Sequence, residues 1–342
     1  MKLHQLFPTN KDQAPSAMNL LRNDVAPHVT VIDKRLVKRR FDRHAHEYDK
    51  YIDIQRDMIR LLLDNPVMRA YIELHQRKYE QLQAPAAILD IGCGTGSLMA
   101  AILGALPRST ISLLDLSPNM LQQAVAKITS LAGQDCIKDI VAADAELWLM
   151  ENAYLRYDLI LSSAAFQWFN APQRTLLAAS KSLHPGGLLA FTTFLPGTLQ
   201  ELHDCCAAAD QYCQYEHTAR GQNYPDGSSW TRWLDEACVN MPVTSTEGVS
   251  IVRGSAASQL LQTRYWWSEH ELTYRYPNVE TLLQHIRRVG AGNSLASQSM
   301  PVSKKWLHAL KHEYLKRYRC GAVEEIQATY RVAVGCVHAL SN

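Results

Sequence analysis

Apolar positions change their period several times along the chain. Over the first 30 residues Pro8, Pro15 and Pro27 sit among Asn and Gln without regular apolar spacing, which predicts a loose arm over 1–32. From Asp33 a basic amphipathic run ending at Phe41 leads into Tyr48, Tyr51, Ile52, Ile54, Met58, Ile59, Leu62 and Leu63 at helical spacing. This predicts two helices broken near 44–49, within a helical region over 33–82. The pattern then shortens to apolar runs at 86–91, 110–114, 137–142, 157–163 and 187–193, alternating with helical stretches at 97–106, 117–127 and 173–182. Strand and helix in strict alternation predict an α/β fold, a doubly wound, mostly parallel sheet whose cofactor-binding core spans 83–196. After Pro196 the rhythm breaks. Helical patterns at 199–215 and 230–239, few packing signals over 240–258, a strand near 260–276 and a helical section over 279–319 predict a helical lid and insertion over 197–326. The lid region would carry the sixth strand, and 327–342 would close the core sheet, giving one enlarged core rather than two independent domains.

The most informative segment is Leu89-Asp90-Ile91-Gly92-Cys93-Gly94-Thr95-Gly96. A glycine loop between a first strand and a helix lets backbone approach a ligand closely, and Asp115, ending the second strand, can accept hydrogen bonds from ribose hydroxyls. Its distance from the loop fits the roughly 20 residues expected for that role. The constellation implies an adenosine-containing ligand, either a dinucleotide or S-adenosylmethionine. Gly92-x-Gly94-x-Gly96 lacks the final spacing of the dinucleotide fingerprint, and Asp90 just before it would repel a pyrophosphate while favouring a sulfonium and an ammonium. An aspartate at a strand end is often only a turn cap. Here the loop, Asp115 and Asp144 close three successive strands in order.

This loop resembles that of the class I S-adenosylmethionine-dependent methyltransferases, which implies a Rossmann-like seven-stranded sheet with N-terminal helices and a helical lid. The resemblance assigns Asp90, Gly92, Gly94 and Gly96 to the methionine end, Asp115 with Leu116 to the ribose and Asp144 with Ala145 to the adenine. Ser162 or Ser163 would border the methyl-transfer site. Several further stretches resemble the malonyl-acyl-carrier-protein O-methyltransferases of biotin synthesis. They are 41–49 with Ile54-Gln55, Phe166-Gln167-Trp168, Leu183-His184-Pro185-Gly186-Gly187, 191–202, the 283–293 stretch with Val289-Gly290-Ala291-Gly292-Asn293, and Thr329-Tyr330. The arm and the 218–270 stretch make the chain longer than typical members.

The resemblance implies methyl transfer from S-adenosyl-L-methionine to the free carboxylate of malonyl-acyl carrier protein. A carboxylate is already the nucleophile at neutral pH, so positioning and desolvation should carry the catalysis. Arg287, Arg288 and Arg275 are candidates to hold that carboxylate bidentately, Tyr48 to close over the methyl group, and Gln167 and Trp168 to shape the substrate pocket.

Composition adjusts this picture. Of 342 residues, 35 are Lys or Arg and 33 are Asp or Glu, and a net charge of +2 argues against a nucleic-acid binder. The positive residues are nonetheless clustered at 34–43 and 304–319, either of which could dock an acidic carrier protein. The eight cysteines contain no C-x-x-C pair, so reduced thiols and no metal site are expected. No apolar run of membrane-spanning length is present and the start lacks a secretion signal, which places the protein in the cytoplasm, with no membrane partner. Three other readings share the fold: a methyltransferase acting on a free small-molecule carboxylic acid or other metabolite, a non-catalytic scaffold, and a nicotinamide oxidoreductase.

Overall fold

The computed structural model describes residues 31–82, 84–215, 222–239, 264–289, 303–321 and 324–340. The arm expected over 1–30, the part of the insertion over 240–263 and the Gly290-Ala291-Gly292-Asn293 motif lie outside them.

Three helices precede the sheet: α1 (Lys34–His44), α2 (Asp53–Asp64) and α3 (Pro66–Leu82). A turn of 3₁₀ helix at Ala45–Lys50 separates α1 from α2, where the sequence pattern places its break. The second break, between α2 and α3, corrects the expectation of two helices. Pro66 disfavours a helical Asn65 and starts α3, while the Asn65 side chain accepts from the backbone of Val67 at 2.9 Å.

The sheet comprises β1 (Ala87–Ile91), β2 (Thr110–Asp115), β3 (Ile137–Ala142), β4 (Tyr157–Ser163), β5 (Leu183–Phe194), β6 (Tyr265–Tyr276) and β7 (Ile326–His338), ordered β3-β2-β1-β4-β5-β7-β6. The strands from β3 across to β5 pair in parallel, and β7 runs antiparallel to both β5 and β6. The chain winds outward from β1 in one direction to β3, then returns to place β4 on the other side. The crevice beyond the carboxyl ends of β1 and β4 is therefore the place where such a sheet binds ligands.

On one face α2, α3, α4 (Ser97–Ala105) and α5 (Pro118–Ala132) bury Leu62, Met68, Tyr71, Met99, Ile102 and Leu121 against Ile88, Ile111 and Leu159. On the other, α6 (Ala145–Glu151), α7 (Pro172–Lys181) and α9 (Gly227–Val239) cover Leu89, Ile160 and Phe191, with Trp230 filling the centre. Burial of the central strands β1, β2, β4 and β5 on both faces explains their near-continuous apolar runs in the sequence. A third cluster joins α2, α8 (Gln200–Cys213), α10 (Val279–Arg288) and α11 (Lys304–Tyr318) through Met58, Cys205, Leu282 and Leu310 against Ile326 and Ala328 of β7. The helical section expected over 279–319 is thus two helices. Among the described residues no helix is long and apolar enough to cross a membrane.

Candidate active site

The glycine loop leaves β1 under tight steric control. Gly92 adopts φ +68°, and a Cβ there would lie 2.4 Å from that of Ala165, so loop and β4 exit touch backbone to side chain. At the far end Gly96 caps α4 at φ +77° and packs against Ala124 of α5, where a Cβ would sit 3.1 Å away. Between them the Gly94 N–H donates to Asp115 at 2.8 Å, and so does the Ser117 N–H, which ties the end of β2 to the loop.

A cavity with about 930 Å³ of empty space, open solvent at its mouth included, lies over this junction. It is lined by Asp90, Gly92, Gly94, Asp115, Leu116, Asp144, Ala145, Tyr48 and Trp168, all anticipated from sequence. Two of its acids are strongly perturbed. Both Asp90 oxygens are buried without a hydrogen-bond partner among the described residues. Burial, and then repulsion from Asp115, pushes the Asp90 carboxyl up to about 8. Asp115 rises only to about 6, because the backbone donors of Ser117 and Gly94 offset its desolvation. A buried carboxylate with no donor is costly, and a ligand bringing an ammonium or sulfonium would remove that cost. These residues therefore fit a ligand with a positively charged end, as S-adenosylmethionine has.

The segment 31–50 forms a strap across the cavity, held at its start, middle and end. At its start Ile32 and Asn170 exchange hydrogen bonds of 2.8 and 3.2 Å, and Lys34 pairs with Asp144 at 3.2 Å and Glu146 at 2.6 Å. In the middle Asp42 accepts from Ser117 at 2.6 Å and from the Asn119 N–H at 3.3 Å. At its end Asp49 accepts from Thr95 at 2.5 Å and Lys127 at 2.8 Å, and Lys127 also reaches Ser97. These contacts hold Tyr48, which burial and the nearby Asp115 make harder to ionise, inside the cavity. Phe41 meets Tyr48 and Trp168 edge-on at 6.1 and 5.6 Å, forming an aromatic wall.

Several residues expected at the site fall elsewhere. Ser162 is buried and donates to the Ile91 carbonyl at 2.9 Å, so it braces β1 against β4; the neighbouring Ser163 lines the cavity. Gln167 donates to the Ala164 carbonyl at 2.5 Å and supports the turn without lining the cavity. Gly96 sets the entry to α4 from outside the lining. Arg275 is exposed on β6, on the opposite face from Tyr274, whose hydroxyl donates to Asp57 of α2. Arg287 is exposed on α10. Arg288 is bound to Glu47 and stacks over Tyr51 at 5.6 Å, which secures the strap next to Tyr48. None of the three arginines lines the cavity.

Two residues that do line it are not evident from the sequence as site residues. Gln55 falls on the stripe Ile52, Gln55, Ile59, which faces the cavity, while Ile54, Met58 and Leu62 face the core. Its carbonyl oxygen is buried and unpartnered among the described residues. One polar residue on an otherwise apolar helical stripe is the available signal. Lys34 gives none, because its partners lie more than a hundred residues away. Among the described residues no three His, Cys, Asp or Glu side chains are grouped to hold a metal ion.

Comparison with known proteins narrows the chemistry. Residues 89–189 match the model of a methyltransferase domain. Over 300 residues the chain is 31% identical to a malonyl-acyl-carrier-protein O-methyltransferase of Halalkalibacterium halodurans, covering 87% of this chain and 96% of that relative. An enzyme of the same name from Priestia megaterium is 33% identical over 265 residues, with 77% and 84% covered. Another, from Anoxybacillus flavithermus, is 30% identical over 304 residues, with 88% and 95% covered. These matches cover most of this chain and most of each relative, and the chain belongs to the malonyl-acyl-carrier-protein O-methyltransferase family.

Proposed function

We propose that this chain methylates the free carboxylate of malonyl-acyl carrier protein, giving the neutral ester that primes pimeloyl synthesis for biotin. The observation that carries this reading is a pair of acids at the glycine loop, the buried Asp90, without a hydrogen-bond partner among the described residues, and Asp115 at the end of β2, in a chain that matches relatives of that name over most of its length. Bound there, S-adenosylmethionine supplies an electrophilic methyl group on a sulfonium. Asp90 with the glycine loop would hold its positive end, Asp115 with Leu116 its ribose hydroxyls, and Asp144 with Ala145 its adenine.

The acceptor needs no general base, since a carboxyl with an ordinary pKa of about 4 is ionised at neutral pH. The strap and α2 give the acceptor side apolar walls, Val37, Phe41, Ile52 and Ile59, which strip water from the attacking oxygen. Gln55 offers the one neutral amide in those walls, and Tyr48 a hydroxyl that stays protonated. Such donors orient a carboxylate without pairing with it as tightly as a guanidinium would, so the oxygen keeps its nucleophilicity. Esterification then hides a charge that an apolar elongation tunnel would reject. We place the enzyme in the cytosol, where its eight cysteines, none of them in a disulfide, stay reduced.

The test is methyl transfer from labelled cofactor to malonyl carrier protein, run beside free malonate. Carrier-dependent turnover supports the proposal, and equal or faster turnover of the free acid would replace it with the small-molecule reading.

A further inference from the structure

Two basic clusters are visible in the sequence, and their surroundings in the fold are different. On α11 most of the charge is already used. Lys311 pairs with Glu280, Lys316 and Arg317 with Glu313, and Lys305 lies over the Tyr212 ring at 5.1 Å. Lys304 and Arg319 remain, at opposite ends of the helix and about 22 Å apart. The helix packs on α8, with Trp306 donating to Asp210, and contributes nothing to the cavity lining.

On α1 the arrangement is the reverse. Lys34 and Lys38 are paired, but Arg35, Arg39 and Arg43 are exposed and make no ion pair among the described residues. They recur every four residues, which places three guanidinium groups along about 12 Å of helix within about 80° of its circumference. The acids nearest in sequence are committed: Asp33 caps the helix and Asp42 takes Ser117 and Lys38. The crowding of positive charge reaches Arg40 as well, whose guanidinium is lowered below its ordinary value by burial and then by Arg39 and Arg43. Lys34, Val37 and Phe41, which line the cavity, lie about 180° away on the same helix.

We infer that the outer face of α1, through Arg35, Arg39 and Arg43, is the docking surface for the acidic carrier domain. This rests on the proposed carrier-bound substrate and adds where that carrier sits. One helix then presents unpaired positive charge to the carrier and, through its inner face, an apolar wall to the acyl group the carrier delivers. A surface so close to the cavity mouth keeps the tethered thioester within reach, whereas α11 would hold it against a different part of the fold. Steering by an unpaired stripe acts on the encounter rate and is screened by salt.

The experiment measures carrier binding by fluorescence anisotropy with a labelled malonyl carrier protein, for the unaltered chain, the triple variant R35E/R39E/R43E and the control K304E/R319E. Calorimetry with S-adenosylmethionine on each variant reports whether the strap is still folded, and R35Q/R39Q/R43Q serves as a milder form should the reversal disturb it. The expected result is a Kd raised at least about 30-fold by the α1 reversal at low salt and at most about twofold by the α11 control, with raised salt weakening only the unaltered chain and the control. An α1 variant within twofold of the unaltered chain, or an equal loss in the α11 control, overturns the docking site. Failure of the functional reading is read separately, as the absence of methyl transfer by the unaltered chain to either malonyl carrier protein or malonyl-pantetheine.

Discussion

Asp90 makes cofactor binding a proton-coupled event. Its carboxyl, pushed up to about 8 by burial and by Asp115, is protonated in about nine molecules of ten at pH 7. A cation binds the ionised form, so taking up S-adenosylmethionine at pH 7 expels about 0.9 proton. Protonation of Asp90 then lowers the apparent affinity at pH 7 about tenfold, or about 1.4 kcal/mol, relative to the site with Asp90 ionised. Asp90→Asn removes the proton release and the slope that Asp90 carries around pH 7 to 8, while Asp115, raised to about 6, still titrates below it. Relative to the site with Asp90 ionised it weakens binding by the loss of one charged interaction, about 1.5–3 kcal/mol. Titration calorimetry in two buffers of different ionisation enthalpy, at pH 7, reads the proton count directly. Identical apparent enthalpies in both buffers, or an Asn variant that keeps the unaltered chain's full proton release at pH 7, would rule out a protonated Asp90 as the source of the coupling.

Other perturbations probe the same contacts. The folded pKa of Asp90 lies above its unfolded value, so in the absence of ligand its contribution to stability is full below about pH 4 and is lost as pH rises towards 8. Asp90→Asn should therefore raise the melting temperature of the ligand-free protein more at pH 8 than at pH 5, and a gain that shrinks with pH would show the carboxyl is not buried as described. Gly92→Ala forces a Cβ against Ala165 at a positive φ and should cost about 1–3 kcal/mol in chemical denaturation along with most cofactor affinity; wild-type affinity would contradict the loop geometry. Asp49→Ala releases Thr95 and Lys127 from the strap, and because these groups are partly exposed the equilibrium cost should be about 1 kcal/mol or less, seen mainly as faster cofactor dissociation in stopped flow. Arg288→Ala and Glu47→Gln should have matching effects on kcat, because each breaks the same pair, while Arg287→Ala should leave kinetics unchanged. A rise in substrate KM confined to the Arg288 variant would return that residue to the substrate site.

Much of this architecture is legible in the sequence because it rests on local rules. The central strands β1, β2, β4 and β5 are largely buried, so each appears as a bounded apolar run, and the glycine loop with its acids is set by backbone geometry that few other residues allow. The break at Asn65-Pro66 obeys an equally local rule and is readable in the same way. Side-chain partners across the fold are different. Whether Arg288 faces a substrate or Glu47 depends on where the strap crosses α10, which no local pattern encodes. Successive residues of a strand face opposite sides of the sheet, so choosing Ser163 over Ser162 requires knowing which face of β4 borders the cavity. Tyr48 is foreseeable from its motif, but the network of Asp49, Thr95 and Lys127 that holds it joins residues far apart in the chain.

Everything proposed for the acceptor side depends on a free carboxylate presented on a carrier. Intact-mass measurement of malonyl and acetyl carrier proteins, each incubated with the enzyme and S-adenosylmethionine, decides the point. One added methyl group is expected on the malonyl carrier and none on the acetyl carrier, which lacks the carboxylate. An unchanged malonyl carrier, or methylation of both, would mean that the acceptor is something else.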